Sequence, residues 1–476
     1  MKKRFVFYLV LFMLIVSLIV PAVSQTTSTR VEVDYVFCNG KIITIDELNP
    51  SYEAIAIDDG LIVALGTTDE IMANYEMKDR SGMDLEGNKA IMPGIIDGHT
   101  HYMASLWWIG DTSNIYDSQE IALANGYTTL NEKSVDSGEL EWMEEAEANN
   151  LLRLRVNAFL IYNYAWLDNN TPVLVTHWSP TLAPITDHDK MLRIPGMKIY
   201  ADGAFGARGF PAMSTPYTPE MIADWGVINP MGDLYFNQST LNPIVDSLHD
   251  RGFSVAFHSM GDRSTETVLN AIEYALNGSD NDIARHQIEH NSFIRDDLVT
   301  KASSLNTIHS VRGYFPTYWQ EDYVNMYDAE WEEWNVKRYS MPSLGIHTYL
   351  ETDFSMARYD EDDWSSSMNI KPFLNLWGLV TKKAIDENGT VHEPIPWLSQ
   401  HLLTVEEGLK MMTLEGAYAV GQEDYIGSFE VGKYADLIVL NKDPLTIHED
   451  ELRTISVMLT MVGGKTEYQW PTHVYP

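Results

Sequence analysis

"STLNPIVDSLHDRGFSVAFHSMGDRSTETVLNAIEYALNG", residues 239–278, sets a short apolar run between two amphipathic stretches. Residues 239–252 and 263–278 pattern as helices, and the run from Phe253 to Phe257 reads as a buried strand. A strand between helices means a parallel sheet built by crossovers.

Working outward, the same kind of run recurs. "AIMPGIIDGHTH", "YTTLNEKSV", "LRLRVNAFLIY" and "MKIYADGAF" precede it; "HQIEHNSF", "LNTIHSV" and "LGIHTYLETDF" follow. Eight such runs predict a closed (β/α)8 barrel of the TIM type, in the α/β class. Both chain ends read differently. "VDYVFCNGKIITI" places Asn39-Gly40 between apolar strands as a hairpin signal, and "EAIAIDDGLIVALG" repeats it with Asp59-Gly60. "GKYADLIVLNKDP" (432–444) and "ISVMLTMVGGK" (455–465) are similarly β-rich. The expected layout is a targeting segment at 1–24, barrel residues at 91–420, and flanking β-rich parts at 25–90 and 421–476.

The first 24 residues pattern as a secretory signal. Lys2, Lys3 and Arg4 precede an apolar run from Phe5 to Val20, and Ala22-Val23-Ser24 offers small residues for cleavage. Secreted or periplasmic protein is therefore expected, with an uncleaved membrane anchor as the rival. The single cysteine, Cys38, excludes a disulfide within the chain and reads as a small buried hydrophobe. The net charge of −36 argues against nucleic-acid binding, because the surface repels phosphates. "YDEDDWSSS" (359–367) reads as a solvated acidic loop, lacking the spacing of a calcium loop.

Barrel enzymes place their chemistry at the C-terminal ends of the strands. Run one ends in His99 and His101, run four carries Lys198, run five ends in His258, run six in His290 and run eight in Asp353. Residues two apart on a strand face the same way, so His99 and His101 can share one ion. A lone HxH is weak; its company at equivalent positions makes a metal centre the better account than four satisfied core histidines. Lys198 is either a surface lysine or ion-pair partner of Asp202, or a buried neutral amine. The latter reacts with carbon dioxide to give an anionic carbamate.

"MPGIIDGHTH", "MKIYADGAFGARG", "VAFHSMGDRSTETVLNAI", "HQIEHNSFI", "ETDF" and "IGSFEVGKYADLIVLNKDP" together resemble the amidohydrolase superfamily. The nearest likeness is to the family-3 branch of N-substituted formamide deformylase-like, metal-dependent hydrolases. The resemblance implies that His99 and His101 bind a buried metal and that carboxylated Lys198 bridges two ions. It further implies that His258 and His290 bind the second, that Asp353 is ligand and proton shuttle, and that the two β-rich ends join as one sandwich. Zinc is the default ion, with iron, manganese, nickel and cobalt also fitting. Two features depart from the branch. The segment Met103–Asn125 is far shorter than usual, and "GARGF" stands where Arg-Thr-Ala is common.

The expected activity is hydrolysis of an amide or related C–N bond in a small molecule, by metal-activated hydroxide. Arg208 is a candidate to hold a substrate carboxylate, and Trp107, Trp108, Tyr318 and Trp319 are candidates to line the pocket. A homo-oligomer is compatible with such a chain. Three rivals remain. "HQIEH" (286–290) matches the inverted zinc-protease signature H-x-x-E-H, which needs a helix. A mononuclear, deaminase-like hydrolase would use His99, His101, His258 and Asp353 and leave Lys198 idle. A secreted binding protein with a decayed site would hold no metal.

Overall fold

The computed structural model describes residues 30–78, 83–103, 115–168, 170–205, 209–313, 329–355, 368, 370–400 and 402–470. Residues 1–24, read above as a signal, lie outside the described residues.

Eight parallel strands lie side by side in chain order. They are β1 (Ile95–Thr100), β2 (Tyr127–Val135), β3 (Arg155–Ile161), β4 (Leu192–Tyr200), β5 (Ser254–Ser259), β6 (Gln287–His290), β7 (Ile308–Val311) and β8 (Thr348–Leu350). Each overlaps one of the eight apolar runs, although β4 begins at Leu192, five residues before its run. Crossover helices include α1 (Ile115–Ala124), α2 (Ser137–Ala148), α3 (Gln238–Asp250), α4 (Asp262–Leu276) and α5 (Asp296–Ser304). Helix α3 starts where the Asn237 side chain accepts from Thr240 N, and it buries Leu241, Val245 and Leu248, one stripe at helical spacing. Helix α4 buries Val268, Leu269, Ile272, Ala275 and Leu276 in the same way.

The barrel closes where β1 meets the chain just beyond β8. Asp353 N donates to His99 O at 2.9 Å and His101 N donates to Phe354 O at 2.7 Å. Thr352 Oγ1 donates to buried Asp97 at 2.5 Å. Gly98 makes the seam tight: a Cβ there would lie 2.0 Å from the Tyr349 ring.

Beside the barrel, a six-stranded and a four-stranded sheet face each other. The six-stranded sheet mixes both chain ends. Strand 90–93 lies between strands Lys41–Ile43 and Leu437–Leu440, and Val457–Val462 and Lys465–Gln469 extend it. Period-two alternation divides its faces. Ile42, Ile91, Leu437 and Val439 pack with Phe37, Ile55, Ile57 and Ile62 of the other sheet. Ile43, Met92, Ile438 and Leu440 pack with the barrel core. Arg155 at the start of β3 ties the two bodies together through Asp436, with Nε at 2.7 Å from Oδ2.

Two local expectations are corrected. Asp59-Gly60 turns a hairpin between Ala54–Asp58 and Leu61–Gly66, but Asn39-Gly40 does not turn one. Strand Tyr35–Cys38 already has Ala54–Asp58 and Met83–Asp84 as neighbours. The turn therefore carries the chain into the other sheet. Leu85 packs where a Cβ on Gly40 would sit. Cys38 is half-buried on this strand rather than fully buried, because it lies at the margin of a small apolar cluster.

Candidate metal centre

The sequence places its polar residues at the strand ends, and the barrel gathers them. Four imidazole rings run in file across the mouth. Ring centroids are 5.2 Å apart for His101 and His99, 4.8 Å for His99 and His290, and 4.7 Å for His290 and His258.

His99 Nε2 and His101 Nε2 lie 3.3 Å apart, and Asp353 Oδ1 is 3.2 Å from each. Ligands at about 2.0–2.1 Å around a tetrahedral zinc-sized ion sit roughly 3.3 Å from one another. The three atoms thus fit one face of such a tetrahedron. A second set, His99, His290 and Glu351, also lies close enough to hold an ion.

The other ring nitrogens explain why these lone pairs are available. His101 Nδ1 lies 2.9 Å from the Lys133 carbonyl, which only accepts, so the proton belongs on Nδ1 and Nε2 is free. His290 Nδ1 donates to Glu351 at 2.8 Å. His99 Nδ1 faces Glu289 at 3.2 Å and Glu351 at 3.6 Å. His258 Nε2 faces the Gly203 carbonyl at 3.5 Å, leaving Nδ1 as its acceptor. Burial holds all four rings neutral: His101 and His290 are pulled down to about 4, and His99 and His258 are lowered as well. Neutral imidazole is the ligand form.

Asp353 behaves oppositely. Burial works against its charge, but the Arg312 guanidinium and then His99 outweigh burial and hold the carboxyl well below its usual range. Its φ of 50° is left-handed, a conformation that non-glycine residues rarely adopt. His290 and Asn291 share this feature at 68° and 41°. Such backbone gathers at functional sites, where the surroundings over-determine it.

Lys198 is fully buried, and its nearest acid is not Asp202. Its Nζ is in direct contact with Glu289 Oε2. Asp202 instead accepts the backbone N–H groups of Ala212, Gly261 and Met260. Burial, followed by nearby Lys133, pushes the Lys198 amine well down. Lys133 is also buried, with Nζ 3.2 Å from Glu289 and 3.4 Å above the Phe159 ring.

Five polar residues of this centre carried no assignment in the sequence reading: Asp97, Lys133, Glu289, Arg312 and Glu351. Glu351 stands two before Asp353 on the same strand extension, and Glu289 adjoins His290. Arg312 directly follows β7, the one late run for which no strand-end residue was named. Arg208, Trp107, Trp108, Tyr318, Trp319 and the acidic stretch 359–367 lie outside the described residues.

The inverted-protease reading fails on local structure. Residues 287–290 form strand β6, not a helix. His286 is committed elsewhere: Nδ1 accepts from Val255 N at 3.1 Å, and Nε2 lies 3.2 Å from His249 Nδ1.

Residues 119–468 match the family described as "Amidohydrolase family", a match that begins after the His99–His101 pair. N-substituted formamide deformylase from Arthrobacter pascens is 27% identical over 282 residues, covering 59% of this chain and 46% of the relative. The chain spans about half the length of the curated relatives it matches. Among solved structures, an uncharacterized metal-dependent hydrolase from Pyrococcus horikoshii superposes with a TM-score of 0.66 at 17% identity, covering 87% of this chain and 99% of that one. Molinate hydrolase gives 0.61 at 16%, covering 93% and 99%. At these identities the structural likeness concerns the fold.

Proposed function

The chain belongs to the amidohydrolase family, and on that premise we propose that it is a metal-dependent hydrolase cleaving an amide or related C–N bond of a small molecule. The observation that carries this reading is the triangle of His99 Nε2, His101 Nε2 and Asp353 Oδ1, with edges of 3.3, 3.2 and 3.2 Å. A divalent ion supplies water with a pKa lowered to about 7 and a Lewis acid for the substrate carbonyl.

The chain's own residues supply the rest. The four histidines stay neutral at physiological pH and offer lone pairs toward the mouth. Asp353, 27% exposed at the open side, accepts a proton from the attacking water and returns it to the leaving nitrogen. Glu351 stands behind His290 and fixes which of its nitrogens carries the proton, and Glu289 lies beside the His99 ring. Zinc suits this donor set, and iron, manganese, nickel and cobalt remain alternatives. The formamide deformylase relative makes N-substituted formamides the first substrates to try, followed by N-acyl amino acids, cyclic amides and small peptides.

A second reading concerns ion number. The contact between Lys198 and Glu289 supports a one-ion centre in which Lys198 is a charge partner, whereas the lowered Lys198 amine supports the neutral form that takes up carbon dioxide. A carbamate on Lys198 would give the two-ion form. We also propose export with cleavage after Ser24, supported by the signal-like pattern of residues 2–24.

Metal analysis of the purified protein with the amide panel tests the main reading. Bound divalent metal, turnover abolished by chelation and turnover restored by metal are expected. A protein that takes up no metal and hydrolyses nothing in the panel refutes it and favours a binding protein.

A further inference from the structure

Arg312 follows β7 and reaches across to the two carboxylates beyond β8. Its Nε donates to Glu351 Oε1 at 3.1 Å, and one terminal nitrogen contacts Asp353 Oδ2. The same Glu351 oxygen accepts from His290 Nδ1 at 2.8 Å, and the other accepts from Ser310 Oγ. Asp353 Oδ1 meanwhile faces His99 and His101. An unbroken polar chain therefore runs from His290 through Glu351, Arg312 and Asp353 to the histidine pair at the end of β1.

We propose that Arg312 is a positioning residue for the hydrolytic reaction, holding Asp353 Oδ2 so that Oδ1 alone is presented to His99 and His101. This rests on the hydrolase reading above. The two oxygens of a free carboxylate are equivalent and exchange by rotation about one bond. A guanidinium fork on one of them ends that equivalence, because its planar donors fix direction as well as charge. The fork already engages two acids of its own chain, which argues against Arg312 as the anchor for a substrate carboxylate.

A double-mutant cycle tests the proposal. Cobalt(II) affinity, read from its visible absorption, and turnover are measured for wild type, Arg312→Gln, Asp353→Asn and the double variant. Arg312→Gln is expected to weaken cobalt(II) binding about tenfold and to lower kcat with little change in KM. In the Asp353→Asn background it is expected to change neither by more than about twofold, since residues acting through one contact are non-additive. Arg312→Lys, which keeps the charge but not the fork, recovers part of the loss and carries the cycle if the Gln variant does not fold. Additive effects overturn the proposal while leaving the hydrolase reading intact. Wild-type protein that binds no cobalt(II) overturns both.

Discussion

Lys198→Met and Glu289→Gln separate an ion pair from a carbamate, because the two states predict opposite signs for the second change. Both side chains are fully buried and in contact. In the ion-pair state, removing Lys198 strands a buried carboxylate. Breaking such a pair costs about 3–5 kcal/mol. Lys133, 3.2 Å from Glu289, remains as a counter-charge, so the lower end is expected. A chain of 476 residues, at about 2.1 cal/mol/K per residue, then loses about 3 °C of thermal midpoint. Glu289→Gln leaves two buried amines facing a neutral amide and should cost at least as much. The double variant should cost less than the two singles together. Calorimetry on the protein as purified, without chelator, reads the midpoints, and metal content is measured alongside. If Lys198 carries a carbamate, its negative charge lies against Glu289, and Glu289→Gln relieves repulsion. A raised midpoint in Glu289→Gln refutes the ion-pair reasoning and restores the two-ion form.

Asp353→Asn keeps the fold but lowers turnover by about 10²-fold or more; a near-normal rate removes Asp353 from the chemistry. His286→Ala leaves metal content unchanged, because that ring is committed to Val255 and His249; metal loss on elemental analysis contradicts this. Gly98→Ala drives a methyl into the Tyr349 ring and should cost about 1–3 kcal/mol or more, seen as a lowered thermal midpoint or lost soluble yield. Acid should destabilise metal-free protein. Burial lowers His101 and His290 to about 4 and His286 and His309 to about 3, so below about pH 6.5 the unfolded chain takes up protons that the fold refuses. Asp97 and Asp202, raised by burial to about 7, oppose this, but two carboxyls against four imidazoles leave a net loss. A midpoint that stays level from pH 6.5 to 4 contradicts the account.

The barrel was legible because its strands are short apolar runs and amphipathic helices such as α3 and α4 stand between some of them. That pattern needs no long-range information. His99, His101, His258, His290 and Asp353 were legible as a set because strand ends converge in a barrel, so position along a run stands in for position in space. What the pattern does not carry is pairing. Nothing local tells Lys198 that its partner is Glu289 rather than Asp202, since β4 and β6 are separated in the barrel by β5. Glu351 and Arg312 escaped notice because their role is to hold other side chains. A residue of that kind looks like any buried charge until its neighbours are known. Asn39-Gly40 failed for a related reason. The dipeptide fixes a turn, but whether the turn joins paired strands or crosses between sheets depends on Met83–Asp84 and Leu85, forty residues away.

The strand ending at Pro93 runs, through Gly94 alone, into the strand that bears His99 and leads to His101, and one of its two neighbours is Leu437–Leu440. A ribosome adding about 5–20 residues per second takes roughly 17–70 s to travel from one to the other. Throughout that interval the early segment has an open edge, the kind of surface on which chains join one another by mistake. A copy halted before Leu437, or trimmed back past it, keeps that edge permanently. Assembly order thus bears on the strand that leads into the histidines: it has both of its neighbours only in a molecule whose tail has been made and has come home.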